Sequence, residues 1–547
     1  MIIDEYYSNI DKNNFYLGKI SQVYESNSYV QVENLSLLAN RKIHREVLTP
    51  NTINYLTVIE NDCGLFVGEV YQSKIPNSDS VHDALKINSK EKIYPELGIN
   101  IIGFQSNNAK GLELPGFRTV GIGDKVYLVN SKFISMYAQS LEVNDYYKKE
   151  IQDGKEEKIK QRKIKNFSKF SDLENQYFCV QPNTLFDRHL LSIGATNSGK
   201  STSALAILNQ MLVTGRKALV IDPTGEYKDT FRDEEMEKLT LGKNTAVDIG
   251  QISIPQWGLI FQTNDNTQGA ILANAIESLR YQYKNNDKNE IYTKKNKKVS
   301  QVTYDMNSLN NEDIAFNVSL LPKQIKEESV KVNKERYIFD EFNFNSNSWL
   351  INKVKYVLKN TRLLDFFSDD KDFDLLKKTQ NFLNNVNKGL YIDASLIGNS
   401  DGVGAMIVDL ISNFVVDKKK KENKPFIIFI DEVHRYVKQG SDFMDDTGLT
   451  SIAREGRKKG IFLFLTTQSP KDVPNILLSQ MGSLLVHRLT NIEEISIIGN
   501  YLDKKIVSQI KNLNRGEAIL TSINLLQNVK LKFIKSGRIH HNETPVL

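Results

Sequence analysis

The chain has 547 residues, 40% hydrophobic and 25% charged, with a net charge of +5 and a pI near 8.7. That is globular composition, long enough for about two to four domains; the mild basic excess allows a nucleic-acid partner without requiring one. Its two cysteines, Cys63 and Cys179, lie far from one another and from any histidine at ligand spacing, which argues against a zinc site or a disulfide framework. No stretch approaches the ~18 apolar residues of a membrane span and the N-terminus lacks an apolar signal core, so a cytoplasmic protein without a membrane partner is expected.

Residues 1–135 read as β-rich. Short apolar runs, several of them alternating, recur at Phe15–Val23, Tyr29–Val32, Leu56–Glu60, Leu65–Tyr71, Ile99–Phe104 and Lys125–Val129. Their spacing and turn residues predict a small barrel or sandwich whose strand edges provide a docking surface. Residues 136–178 are dense in charge and are expected to form a linker or an exposed helix. From 179 to 261, and again from 389 to 528, buried-looking strands alternate with helical stretches, as in a parallel α/β sheet. The strands are Leu190–Ile193, Ala218–Ile221, Leu390–Ile392, Phe426–Ile430, Ile461–Thr466, Ser483–Val486 and Ala518–Thr521. Residues 262–388 break the alternation with a mainly helical insertion. Its Lys- and Asn-rich stretch, 281–300, is expected to be a flexible loop, either merely solvated or contacting nucleic acid. Residues 529–547 form a C-terminal tail, assigned to bracing a neighbouring subunit.

The strand Leu190–Ile193 runs into Gly194-Ala195-Thr196-Asn197-Ser198-Gly199-Lys200-Ser201, a complete G-x-x-x-x-G-K-[ST] pattern. Gly194 and Gly199 permit a tight turn with N–H groups facing a phosphate, and the helix through Thr202 adds the positive end of its dipole. Lys200 is placed to reach the β- and γ-phosphates and the Ser201 hydroxyl to ligate Mg²⁺. A nucleotide hydrolase also needs an acidic pair at the end of a buried strand, and "FIIFIDE" supplies Asp431 for the metal and Glu432 for the attacking water. The next strand ends in Thr466, Thr467 and Gln468, beside the expected γ-phosphate. "ALVIDPTGEY" brings Asp222 and Glu226 toward the same pocket or places them on a surface turn.

Taken together, "FDRHLLSIGATNSGKS", "ALVIDPTGEY", "GLYIDAS", "FIIFIDEVHR", "SIAREGRKKGIFLFLTTQSP" and "LLVHRLTN" resemble the HerA ATPases, within the HerA/FtsK group of hexameric DNA pumps. The resemblance implies an α/β fold: one RecA-like P-loop ATPase core with a helical insertion, preceded by a small N-terminal β-barrel. It also implies ATP and Mg²⁺ as cofactors, a homohexamer and double-stranded DNA. Arg188 matches an arginine that the family places near the nucleotide. Arg457, with Arg454 as the alternative, matches the finger that reaches a neighbour's ATP. Ser469 stands where the family often has arginine.

The function implied is ATP-driven DNA translocation or unwinding. Family partners are a NurA-type nuclease or a sirtuin-type or other effector docked on the barrel, in bacterial anti-phage defence or DNA-end processing. The alternative is an ATP-regulated ring that scaffolds and activates an effector.

Overall fold

The computed structural model describes residues 2–541 except 26, 45, 77–92, 110, 153–154, 174–175, 265–266, 361–362, 369, 371, 386, 398–401, 438–446 and 503. The chain divides into two compact units, one of residues 1–187 and 516–534, the other of 188–515 and 535–547.

In the first unit six strands form a closed barrel: β1 (Tyr16–Val23), β2 (Ser28–Val32), β3 (Leu56–Asn61), β4 (Gly64–Lys74), β5 (Glu96–Ser106) and β6 (Lys125–Leu128), in the order β1-β2-β5-β4-β3-β6. Each of the six apolar runs read from the sequence is one of these strands. Alternation sets the faces: Val30 and Val32 of β2 point inward, and Phe66 of β4 packs on Phe104 of β5 at 4.7 Å. Register shifts at Val67/Gly68 and Val70/Gln72 curl the two long strands, as a small barrel requires. Closure overturns one expectation. Strand β6 pairs with both β3 and β1, so every barrel strand has two neighbours and no edge is left for docking. Exposed apolar side chains lie instead on the 111–124 loop, where Leu114, Phe117 and Ile122 face solvent.

The charged segment is neither a loose linker nor a helix. After the helix Ser131–Gln139 it forms an antiparallel hairpin, β7 (Tyr147–Gln152) and β8 (Lys155–Lys160), and then β9 (Ser168–Phe170). Strand β9 pairs with Val529–Phe533, which pairs in turn with Glu517–Ser522. The segment read as a tail from 529 therefore begins as a strand of the first unit.

The second unit is built on seven parallel strands: β10 (Leu190–Ile193), β11 (Lys217–Asp222), β12 (Met236–Thr240), β15 (Gly389–Asp393), β16 (Phe426–Ile430), β17 (Ile461–Thr467) and β18 (Ser483–His487). Their order is β18-β10-β17-β16-β11-β15-β12. Strands β10, β11 and β16 are buried along their whole length, as a sheet covered on both faces demands. Helix α1 (Lys200–Val213) follows β10, and α7 (Val403–Lys418) and α8 (Gly448–Lys459) flank β16 in sequence.

Between β12 and β15 the chain leaves the sheet. Helices α2 (Gln268–Lys284), α3 (Val299–Asn307), α4 (Leu321–Glu327), α5 (Glu341–Asn360) and α6 (Leu375–Asn384) form there, with a hairpin of β13 (Val330–Asn333) and β14 (Arg336–Phe339). The Lys- and Asn-rich stretch is mostly exposed but is anchored to the insertion at Tyr292 and Lys294. Lys294 is buried and ion-paired with Glu328. Gln324 accepts from the Tyr292 N–H (2.7 Å), and its amide donates to the Tyr292 carbonyl and to Glu328 (both 2.9 Å).

One histidine ties the sheet to α8. His189, immediately before β10, accepts at Nδ1 from the Leu463 N–H (2.9 Å), which fixes the proton on Nε2, donated to the Ala453 carbonyl (3.0 Å). Burial pushes its pKa down to about 4 from 6.5. Between those values the unfolded chain binds a proton that the folded chain excludes, so His189's contribution is complete above 6.5 and lost as pH falls toward 4. His189→Gln is therefore expected to unfold with a flatter pH dependence over this window. The unfolding free energy of wild type, from urea titrations, should fall by about 2 kcal/mol more than that of the variant on going from pH 6.5 to 4.

Candidate active site

Strand β10 delivers the chain into the 194–201 loop, and α1 leaves from it. Gly199 takes φ +109°, open only to glycine at low strain, and Asn197 takes φ +64°. A Cβ on Gly194 would lie 2.5 Å from Ser198 Oγ and 2.6 Å from His487 Cβ, so any side chain there would fill the loop. The N–H groups of Gly194, Ala195 and Ser198 donate to the carbonyls of Thr467, Arg488 and Ala195. These three residues shape the loop rather than supply donors. The donors left for an anion include those of Lys200, Ser201 and Thr202, which the first turn of a helix leaves without intrahelical partners. His487, buried at the end of β18, holds that turn through Ser203 Oγ (2.8 Å).

The acidic pair sits two strands away across the sheet, at the end of β16. Asp431 is 3% exposed and accepts from the Thr466 hydroxyl, which itself accepts from the Glu432 N–H at 2.9 Å. Burial, with the adjacent Glu432 charge, pushes the Asp431 pKa up to about 7. Glu432 stands at φ +47°, a left-handed backbone unusual for a non-glycine residue and the kind of strain found at working sites.

One oxygen of Glu432 receives Lys200 Nζ at 2.6 Å and Gln468 Nε2 at 2.7 Å. Burial alone would raise this carboxyl, but Lys200, then Gln468, hold it below the ordinary range. Gln468 in turn accepts from Thr196 Oγ1 at 2.6 Å, which joins the phosphate loop to the acidic strand end. The other Glu432 oxygen, Oε2, is buried without a hydrogen-bond partner and lies 3.3 Å from His434 Nδ1. His434 also meets Thr467 Oγ1 at 3.2 Å.

Asp222 is not free for chemistry. It accepts from the N–H groups of Thr224, Gly225 and Tyr227, from the Thr224 hydroxyl and from the Tyr391 hydroxyl, and so builds its own turn. Glu226 on that turn does enter the field of the site. Its pKa is raised by burial, then by Asp222 and Glu432, and lowered by Lys200.

The C-terminal segment holds the same turn from outside. The His541 N–H donates to the Glu226 carbonyl (3.0 Å), and Thr230 Oγ1 donates to the Ile539 carbonyl (2.6 Å). Arg538 grips Glu235 with both guanidinium ends (2.7 and 2.8 Å) and reaches Asn209 of α1 (2.7 Å). Among the described residues the tail thus packs on its own chain.

Sequence motifs therefore brought together Lys200, Ser201, Asp431, Glu432, Gln468 and Glu226. The arginines lie elsewhere. Arg188 is exposed at the start of β10, roughly 20 Å of extended chain before Gly194, at the opposite end of the strand from the loop. Arg457 is exposed in the last turn of α8, which hands over to the start of β17, and Arg454 is one turn earlier. These ends face away from this chain's own phosphate loop. Sequence reasoning gave no role to His434, His487 or Arg538. The first two lie within the quoted "FIIFIDEVHR" and "LLVHRLTN", whereas Arg538 meets the site only through the fold.

Comparison with known proteins follows this geometry. Residues 164–415 match the family described as the central domain of helicase HerA, and residues 408–494 the helicase HerA-like C-terminal family. The chain belongs to the HerA family. It is 25% identical over 350 residues to the DNA double-strand break repair helicase HerA of Sulfurisphaera tokodaii, covering 61% of this chain and 62% of that one. It is 24% identical over 360 residues to a probable helicase of Methanocaldococcus jannaschii, covering 62% and 61%. The HerA match thus spans about 62% of the length of the first of these relatives. Among solved structures, VirB4 of Thermoanaerobacter pseudethanolicus aligns with a TM-score of 0.48 and 14% identity over 71% of this chain and 98% of that chain. The plasmid coupling protein TrwB in complex with ADP and Mg²⁺ aligns with a TM-score of 0.43 and 14% identity over 67% and 89%.

The tail contacts make this HerA-family chain sensitive at Arg538. Its side chain is 10% exposed, and truncation leaves Glu235 without its bidentate partner. Arg538→Ala is expected to cost about 2 kcal/mol in chemical denaturation. Arg538→Lys should recover only part of it, since a single ammonium cannot reproduce the fork.

Proposed function

We propose that this chain hydrolyses ATP with Mg²⁺ and uses the energy to move double-stranded DNA through a homohexameric ring. The observation that carries the chemistry is the Lys200–Glu432 contact at 2.6 Å, which puts the cation of a complete phosphate loop on the acidic end of another parallel strand. The residues fit a Mg²⁺-nucleotide. Gly194 leaves room for nothing but backbone, Ser198 Oγ and Glu432 Oε2 are buried without hydrogen-bond partners, and Asp431 sits where a cation relieves the cost of its burial.

In this reading Ser201 and Asp431 hold the metal, which neutralises charge on the phosphates. Phosphate oxygens compete with Glu432 for Lys200. A carboxylate that loses its ammonium partner becomes more basic, so Glu432 gains proton affinity when Lys200 turns to phosphate. Glu432 then accepts the proton of the attacking water. Gln468, held by Thr196, keeps that carboxylate aligned, and Glu226 adds negative field around Lys200 and Glu432. Arg188, Arg454 and Arg457 all lie at the wrong end of the sheet for this chain's own phosphates. Arg457 therefore serves a neighbouring copy, where a guanidinium stabilises charge on the transferring phosphoryl group.

Motor activity on DNA rests on family membership, and a HerA relative carries the name of a double-strand break repair helicase. An effector, whether nuclease or sirtuin-type, docks on the barrel through the exposed Leu114, Phe117 and Ile122 of the 111–124 loop. The setting is bacterial defence or DNA-end processing, in the cytoplasm. No helix among the described residues is long and apolar enough to cross a membrane.

Two experiments test the reading. Glu432→Gln should keep ATP binding and lose turnover by about a hundredfold or more, whereas Lys200→Ala should lose binding. Turnover by Glu432→Gln at the wild-type rate would exclude its role as base. Mixing inactive Arg457→Ala subunits with inactive Lys200→Ala subunits should restore part of the DNA-stimulated ATPase, because some interfaces then pair an intact loop with an intact arginine. No recovery in mixed rings of verified mass would assign Arg457 to another task.

A further inference from the structure

Helix α5 of the insertion has a second apolar stripe that its own unit does not cover. Its inner face is conventional, with Asn347, Leu350, Ile351, Val354 and Val357 buried. The outer face of such a helix is ordinarily polar. Here it presents Phe342, Trp349 and Tyr356, which are 76%, 51% and 61% exposed. Three large rings on one exposed helix face mark a surface that is covered by something else.

The pattern says what covers it. Phe342 and Tyr356 each stand seven residues from Trp349, about 10 Å along the axis on either side. The stripe is therefore symmetric about Trp349. Laid antiparallel on a second copy of itself, with the two-fold at Trp349, it sets Phe342 against Tyr356 of the second copy and Trp349 against its own counterpart. Charge follows the same symmetry. Glu341 stands at the N-terminal end, and Lys355 and Lys359 at the C-terminal end. Each Glu341 then lies beside Lys359 of the other copy, and the uncharged Asn345 beside Asn352.

We propose that α5 is a two-fold contact between copies of this chain, made by the Phe342–Trp349–Tyr356 stripe. A two-fold uses one surface twice, whereas a ring uses two different surfaces head to tail, so this contact joins rings, or free chains, in pairs. The three rings expose roughly 400 Å² per copy, about half of what a stable dimer buries on each side. A single contact is accordingly weak, and repetition around paired rings strengthens it. The contact does not depend on the nucleotide chemistry proposed above.

Cysteine cross-linking in the full chain tests it, in a Cys63→Ser background because Cys63 is exposed. The pair Asn345→Cys with Asn352→Cys should give disulfide-linked dimers on oxidation at protein concentrations where native mass shows paired particles. Either cysteine alone should give at least tenfold less, since like positions lie roughly 9–12 Å apart along the axis, beyond disulfide reach. Trp349→Ala should halve the particle mass and leave ATPase turnover per chain within about twofold of wild type. Lys359→Glu should weaken pairing about tenfold, and addition of Glu341→Lys should restore it. Absence of the paired-cysteine link, equal yields from the single variants, or a Trp349→Ala particle of unchanged mass would overturn the proposal. So would protection of the stripe by DNA or by an effector with no self-pairing.

Discussion

The site depends on one contact between two charged side chains that the sequence separates by 232 positions. Lys200 and Glu432 are both nearly buried, and a buried ion pair seldom improves stability over apolar packing of the same shape. Its presence therefore points to use rather than to folding. What makes it possible is strand order. Strand β17 lies between β10 and β16, so Thr466 and Gln468 at its end touch both the acidic pair and the phosphate loop. Gln468 is held by both sides at once, and any movement of the loop relative to the carboxylate must break one of its two hydrogen bonds.

Around this contact the fold keeps the two sides in register by burying polar bolts. His487 fixes the first turn of α1, and His189 fixes α8 to β10 and β17. Asp222 consumes its hydrogen-bonding capacity in one turn, and the C-terminal segment presses on that turn through Glu226, Thr230 and Glu235. The histidine and C-terminal bolts share a feature. Each joins elements far apart in the sequence, so each responds to a displacement of whole elements rather than to a local fluctuation. The exposed arginines of α8 are coupled in this way to the strand that carries the phosphate loop. Ala453, one residue before Arg454, is the carbonyl that His189 holds.

Much of this was legible in the sequence because it is written locally. The six barrel strands alternate, the core strands are continuous apolar runs, and Lys200, Ser201, Asp431 and Glu432 stand in short motifs at strand ends. What was not legible is non-local or polar. Strand β12 carries Glu237 and Lys238 at the end of the sheet, where a strand need not be apolar, and it was not among the strands read from the sequence. The hairpin β7–β8 is nearly all charge, so it lacks the hydrophobic period that marks a strand. Most of the Lys- and Asn-rich stretch is exposed, as read; its two anchors, Tyr292 and Lys294, were not legible because their partners, Gln324 and Glu328, arrive from a helix some thirty residues away. Arg538 finds Glu235 across 303 positions, a distance over which no sequence period operates.

The position of the insertion follows from the same sheet. It leaves after β12, at one end of the strand order, and returns at β15, so it is attached beside an edge and interrupts no central ladder. The strands that lead to Lys200, Asp431 and Glu432 lie elsewhere in that order. It is held both by its own contacts and by the sheet, since Phe382 of α6 packs on Phe426 of β16 and Lys378 pairs with Glu237 of β12. Glu328 receives Lys294, Ser278 and Gln324 within the insertion, and α5 buries one full face there. The outer face of α5 lies on the side of the helix away from its buried contacts, so a change there leaves the packing of α6 on the sheet in place. That freedom is the physical reason why the aromatic face of α5 belongs to assembly, while the chemistry stays with the seven parallel strands.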